Sequence, residues 1–264
     1  MSRRHLTFTC EGDRLFATLD EAEGAVGLLL VTGGNETRSG PFAGQAEIAA
    51  LVAARGYRVF RFDRRGVGDS AGENRGFRLS GPDIAAALEA FRSACPHLRR
   101  VAAFGNCDAA SALMLAGGSG ADALILANPW TFDDDTADAM PTEAVRARYL
   151  GKLKDPKEWA RLLRGDVSLR KLVGGLKQAA STQAPSNLAE EMRSGIAGYD
   201  GEVRYLIAGR DRTGIAFRSA FGDCGALYTC EDADHAFSSA PHRKWLLDQL
   251  GSVLEEQARQ LDMG

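Results

Sequence analysis

Along this chain, short aliphatic runs take turns with longer stretches in which apolar residues return at helical spacing. Residues 6–10 and 14–19 alternate apolar and polar positions around the Glu11-Gly12-Asp13 turn, which predicts an opening antiparallel hairpin. Residues 27–31 are almost unbroken aliphatic, the pattern of a strand covered on both faces. From Phe42 to Arg55 the spacing is helical, with Gly56 as a C-terminal stop. Residues 57–62 predict another strand. Residues 82–95 predict an amphipathic helix with proline near its start and another proline just beyond its end. Further strands are expected at 101–104, 123–127, 203–208 and 226–229, and a long closing helix at 241–261. Strands separated by helices in this way predict a mostly parallel α/β sheet covered on both faces.

The alternation stops between Asn128 and Asp200. That stretch is charged and helix-favouring, with Trp159, Leu162, Leu163, Leu172, Val173 and Leu176 near helical spacing. It predicts a helical insertion over residues 131–200, packed above the strand ends as a lid, between two parts of one core (1–130 and 201–264).

A length of 264 residues suits one large α/β domain with such an insertion. With 45% hydrophobic and 25% charged residues the composition is that of an ordinary globular protein. A net charge of −3 gives no reason to expect nucleic acid or an anionic membrane as partner. No run approaches the ~18 apolar residues of a membrane span, and the first residues lack the apolar core of a signal peptide. Five cysteines, odd in number and without C-x-x-C spacing, fit reduced thiols in a cytoplasmic protein better than disulfides or a zinc site. Neither a metal nor a cofactor is expected.

The chemistry concentrates at residues 101–112. A short apolar strand runs into Gly105-Asn106-Cys107-Asp108-Ala109 and on into small, helix-compatible residues. Strand, sharp turn and helix together form a nucleophile elbow, with Cys107 at its tip. Gly105 and Ala109 are small because the two backbones nearly touch there. A thiol at a helix N-terminus is placed where amide groups and the helix dipole favour the thiolate.

A thiolate nucleophile needs a base, and the base an orienting acid. Of the four histidines, His5 lies in the first strand, His97 in the turn before the elbow strand and His242 at the start of the last helix. His235 follows a predicted strand on a loop leading to that helix, where the order nucleophile, acid, base puts the histidine. Asp211, just past the strand 203–208, is the expected acid, with Asp234 as the alternative. For the oxyanion, the expected donors are the Asp108 N–H and an N–H from Gly33-Gly34-Asn35, supplied by Gly34 or Asn35. Arg38, on the same loop, is a candidate for holding an anionic part of the substrate through its guanidinium fork. A glycine pair after a strand could also cradle phosphate, but G-x-G-x-x-G and a P-loop lysine are absent.

These elements resemble the α/β-hydrolase superfamily over nearly the whole chain. More closely, the segments beginning Gly33-Gly34-Asn35, Phe62-Asp63-Arg64-Arg65-Gly66, Gly105-Asn106-Cys107-Asp108-Ala109, Asn128-Pro129-Trp130 and Gly209-Arg210-Asp211 resemble the exosortase A system-associated hydrolase type 1 group, encoded with exopolysaccharide and protein-sorting genes. The resemblance implies an α/β-hydrolase fold with Cys107, Asp211 and His235 as nucleophile, acid and base. Trp130 joins Arg38 as a substrate-binding candidate. The chain departs from many relatives in its thiol and in Thr32-Gly33-Gly34 where they carry His-Gly. The function expected is a hydrolase that cleaves a small acyl ester or thioester through a thioacyl-enzyme. An acyltransferase with the same triad, or a non-catalytic binding protein on the same fold, are the alternatives. The sequence defines neither the acyl group, the leaving group nor the oligomeric state.

Overall fold

The aliphatic runs become neighbouring strands of one eight-stranded sheet. The computed structural model describes residues 2–132, 187–222 and 224–263. In chain order the strands are β1 (Arg3–Cys10), β2 (Asp13–Asp20), β3 (Val26–Val31), β4 (Arg58–Phe62), β5 (Arg100–Asn106), β6 (Ala123–Ala127), β7 (Glu202–Ala208) and β8 (Leu227–Cys230). Their order across the sheet is β1-β2-β4-β3-β5-β6-β7-β8. The β1–β2 and β2–β4 pairs are antiparallel, and every other pair is parallel.

The run at β3 is continuous because successive side chains enter different cores. Leu29 and Val31 belong to one apolar cluster and Leu28 and Leu30 to the other. The first face carries α2 (Gly81–Ala94), α3 (Asp108–Leu115), α4 (Asn187–Ile196) and α5 (Arg212–Phe221). The second carries α1 (Gly44–Ala54) and α6 (Ala240–Met263). The register aligns the strand ends: Val31 pairs with Gly105, Asn106 with Ala127, Ala127 with Leu206, and Ala208 with Cys230. All the loops expected to carry chemistry therefore leave one edge of the sheet, the usual place for a site in such folds.

Three departures from the expected elements have physical causes. Helix α1 begins at Gly44 rather than Phe42, because Phe42 (φ 50°) and Ala43 (φ 59°) sit in the left-handed region and break the turn. Helix α5 was not expected; Asp211 caps it by accepting from the Gly214 N–H at 3.1 Å. Helix α4 falls within the expected insertion, yet its Leu188 and Met192 are fully buried in the first core. Residues 133–186, which hold the rest of that insertion and Trp159 to Leu176, lie outside the described residues. Among the described residues no helix is long and apolar enough to cross a membrane.

Candidate active site

Cys107 stands between β5 and α3 with φ 62° and ψ −127°, a backbone conformation that L side chains rarely adopt. Such strain costs on the order of 1–3 kcal/mol and persists only where the surroundings over-determine it. Here they do. The Cys107 N–H donates to Ala127 O on the next strand at 2.9 Å, and its carbonyl accepts from Ala110 at 3.1 Å and Trp130 at 3.3 Å. Strand and helix meet so closely that a Cβ on Gly105 would lie 2.7 Å from the Ala109 carbonyl carbon. The thiol is thereby raised at the first turn of α3.

Two loops bring the other groups to it. Asp211, buried at the end of β7, holds one oxygen against the His235 ring: Nδ1–H donates to Oδ2 at 2.9 Å. Burial pushes the Asp211 carboxyl up, but the hydrogen bond and charge of His235 and the Gly214 and Thr213 amides together hold it below the usual carboxylate range. His235 is pushed up to about 10, first by its hydrogen bond to Asp211 and then by one to Cys107, against the effect of burial. Asp211 and His235 are thus brought together, and Cys107 lies near enough to contribute to the raised imidazole. Asp234, the alternative acid, instead accepts from the Ser238 N–H at 2.8 Å and closes its own turn.

Amides behind the row fix the base. Asn106 and Asn128 both donate to the His235 carbonyl, at 3.1 and 3.3 Å, and Asn128 also donates to Asn106 Oδ1 at 3.1 Å. Asn128 in turn accepts from the Ala208 N–H at 2.8 Å. Sequence reasoning gave Asn106 and Asn128 no role of their own; the one signal was an amide flanking the nucleophile and another at the end of the next strand.

The loop after β3 closes the other side. The Gly34 N–H donates to the Asp108 carboxylate, at 2.7 and 3.0 Å to its two oxygens. That approach requires glycine at 33, where a Cβ would meet Asp108 Oδ1 at 2.2 Å. Asn35 is exposed, and Asn74 donates to its side-chain oxygen at 2.7 Å. Glu36, unnoticed in the sequence, faces the same space: burial raises its carboxyl, the Asp108 charge adds to this, and His235 and Arg64 oppose it. Trp130 lies beside the nucleophile, its N–H on Cys107 O, its indole Nε1 donating to Phe132 O at 3.0 Å and its ring edge-on to Phe132.

Arg38 is not placed as expected. Its Nη1 is paired with Asp63 and, at 2.9 Å, with Asp69, and its Nε donates to Thr18 at 3.1 Å. Its fork is engaged by carboxylates of its own chain, which compete with any substrate anion. Burial raises Cys95 and Cys230, and burial with the Asp83 carboxylate pushes Cys10 up to about 11. Among the described residues no group of three His, Cys, Asp or Glu side chains could hold a metal ion.

The sheet is parallel at its centre with an antiparallel lead-in, a strained Cys107 stands at a strand–helix turn, and Asp211 and His235 meet on the loops after β7 and β8. The chain belongs to the Alpha/beta hydrolase family, whose model matches residues 28–246. Among solved structures it is similar to the Pyrococcus furiosus esterase Pf2001 (14% identity, TM-score 0.62), covering 97% of this chain and 91% of that one. It is also similar to the α/β hydrolase GrgF from Penicillium sp. sh18 (17% identity, TM-score 0.62; 99% and 97% covered). A third is the proline iminopeptidase of Mycobacterium smegmatis (14% identity, TM-score 0.63; 98% and 100% covered). At these identities the likeness is one of fold. No curated protein matches the chain.

Proposed function

We propose that the protein hydrolyses a small acyl ester or thioester, with Cys107 as nucleophile, His235 as acid and base, and Asp211 as its orienting carboxylate. The observation that carries this reading is the His235 imidazole, held 2.9 Å from Asp211 and raised to about 10 by hydrogen bonds to Asp211 and Cys107. An imidazole so placed can take the Cys107 thiol proton and hand it on to the leaving group. The Cys107 thiolate attacks the carbonyl carbon and forms the C–S bond. As the tetrahedral intermediate collapses, the leaving oxygen or sulfur takes the His235 proton. His235 then accepts a proton from water, whose oxygen attacks the thioacyl carbon and releases the acid and the thiolate.

The developing oxyanion needs two donors. The Gly34 N–H is occupied by Asp108, so the Asn35 N–H and the Asp108 N–H, the first of α3, are the donors assigned here. Trp130, beside the nucleophile, is assigned to the wall of the acyl site. On the resemblance of the Gly105–Ala109 elbow and Asn128-Pro129-Trp130 alone, we assign the enzyme to the exosortase A system-associated type 1 hydrolases. Its cysteine usage supports the cytoplasm as its compartment.

The test is a panel of acyl p-nitrophenyl esters and acyl-CoA thioesters, with intact-mass detection of the acyl adduct. The reading expects turnover together with an adduct on Cys107. Turnover that survives in Cys107→Ala without any adduct would overturn it.

A further inference from the structure

One basic side chain near the site lacks the partners its burial demands. Arg64, just after β4, is 2% exposed. Its Nη2 donates to Gly34 O, but among the described residues Nε and Nη1 have no hydrogen-bond partner. A buried donor left unpaired costs about 1–3 kcal/mol, and more when charged, so such groups are ordinarily satisfied by water or a ligand. The nearby carboxylates do not fill that place. Both oxygens of Asp83 are engaged by Arg65, from Nε at 2.6 Å and from the backbone N–H at 2.9 Å. Both oxygens of Asp108 face the Gly34 N–H. Glu36 is biased towards its neutral form by burial and by Asp108.

Arg64 lines a narrow pocket with Asn74, Arg75 and Ser80 and with two carboxylates, Asp83, which Arg65 engages, and the exposed Glu73. Arg75 adds a second positive charge at the rim, half exposed and 3.9 Å from Glu11. Asn74 ties the pocket to Asn35, and Arg64 ties it to Gly34, so it adjoins the loop assigned to the oxyanion. A buried guanidinium with two open donors, and a second cation among the pocket residues, suits oxygens carrying negative charge.

We propose that Arg64 and this pocket form a subsite for an anionic end of the substrate, a carboxylate or phosphate group carried beyond the reacting carbonyl. The inference rests on the hydrolase reading for its reaction but not for its ligand. It transfers to Arg64 the role that the sequence suggested for Arg38.

The test begins with the full protein and two probes, succinate and inorganic phosphate, titrated by calorimetry. One of them should bind with one-to-one stoichiometry, weakened on the order of tenfold or more in Arg64→Met and less in Arg64→Lys. Succinate alone would assign the charge to a dicarboxylic acyl group, and phosphate alone to a phosphate-bearing leaving group. In kinetics, the ratio of kcat/KM for the matching anionic substrate, a hemisuccinyl thioester or a phosphate-bearing one, over that for a butyryl thioester should fall at least about tenfold in Arg64→Met. Wild-type protein that binds neither probe overturns the subsite and leaves water as the partner of Arg64, even if the variants fail to fold. Equal binding by wild type and a folded Arg64→Met does the same. Arg64-dependent anion binding without turnover of any acyl substrate would sustain the subsite and defeat the hydrolase reading; turnover with an unchanged substrate ratio would do the reverse.

Discussion

On the β7–β8 side of Cys107 the ionisable groups converge in a row that ends on a reactive atom, whereas on the β3–β4 side they are closed into pairs. Asp211 and His235 are joined at 2.9 Å, and Cys107 adds to the upward shift of the imidazole. Across the site, Arg61 pairs with Asp20 at 3.0 Å, Arg65 with Asp83 at 2.6 Å, and Arg38 with Asp63, all with carboxylates buried. Both regions are rich in charge, and residue type alone does not separate them. What separates them is saturation. A pair whose donors and acceptors are used up holds loops in place, while a group left with one open valence can act on a substrate. Arg64 is the exception on its side.

The largest expected effect lies in the row. Cys107→Ala should remove measurable turnover, His235→Ala should cost about 10²–10⁴-fold in kcat/KM, and Asp211→Asn should cost least, because the imidazole remains. Kinetics of the three variants on one substrate, with folding checked by circular dichroism, would break the comparison if His235→Ala stayed near wild type. On the paired side the expected loss is stability. Asp83→Ala leaves buried Arg65 with Glu11 as its remaining carboxylate partner and should cost about 1–3 kcal/mol by urea unfolding; an unchanged midpoint would mean that these pairs do not hold the loop.

A smaller effect concerns pH. His235 is raised in the folded protein from 6.5 to about 10, so its pairing with Asp211 stabilises the fold fully below pH 6.5 and fades as pH rises through about 10. The stability gap between wild type and Asp211→Asn should therefore be widest near pH 6 and close near pH 10. The basic limb of kcat/KM should move to lower pH in the variant. A gap that widened towards alkaline pH would reverse the assigned sign. Smallest is the elbow itself. Cys107→Gly and Cys107→Ala both lose the thiol, but glycine tolerates φ 62°. Cys107→Gly should be the more stable by about 1 kcal/mol in denaturant titration; equal stability would mean that the turn carries no strain.

Which of these features the sequence revealed follows from how local they are. The strand–turn–helix at Cys107 and the meeting of Asp211 with His235 were legible, because such a turn needs small residues at fixed offsets and the ends of parallel strands lie together. Strand β6 was read to the residue. The partners of Arg38 were not legible: Asp63 and Asp69 lie more than twenty residues away, and only the fold brings them together. Helix α5 was hidden by Asp211, which is at once its cap and the acid. Arg64 could not be told from Arg65, its neighbour in sequence, since the difference lies in whether Asp83 reaches it.

Asn128 touches the end of β7 through Ala208, the nucleophile strand through Asn106 and the loop of the base through His235. A single amide is thus a shared joint for the three segments that carry Asp211, Cys107 and His235. The hydrogen bonds of that one side chain therefore tie the separations among the three segments to one another. Removing the joint would show first as a broader spread of spacings between sulfur and imidazole, before any change in their average.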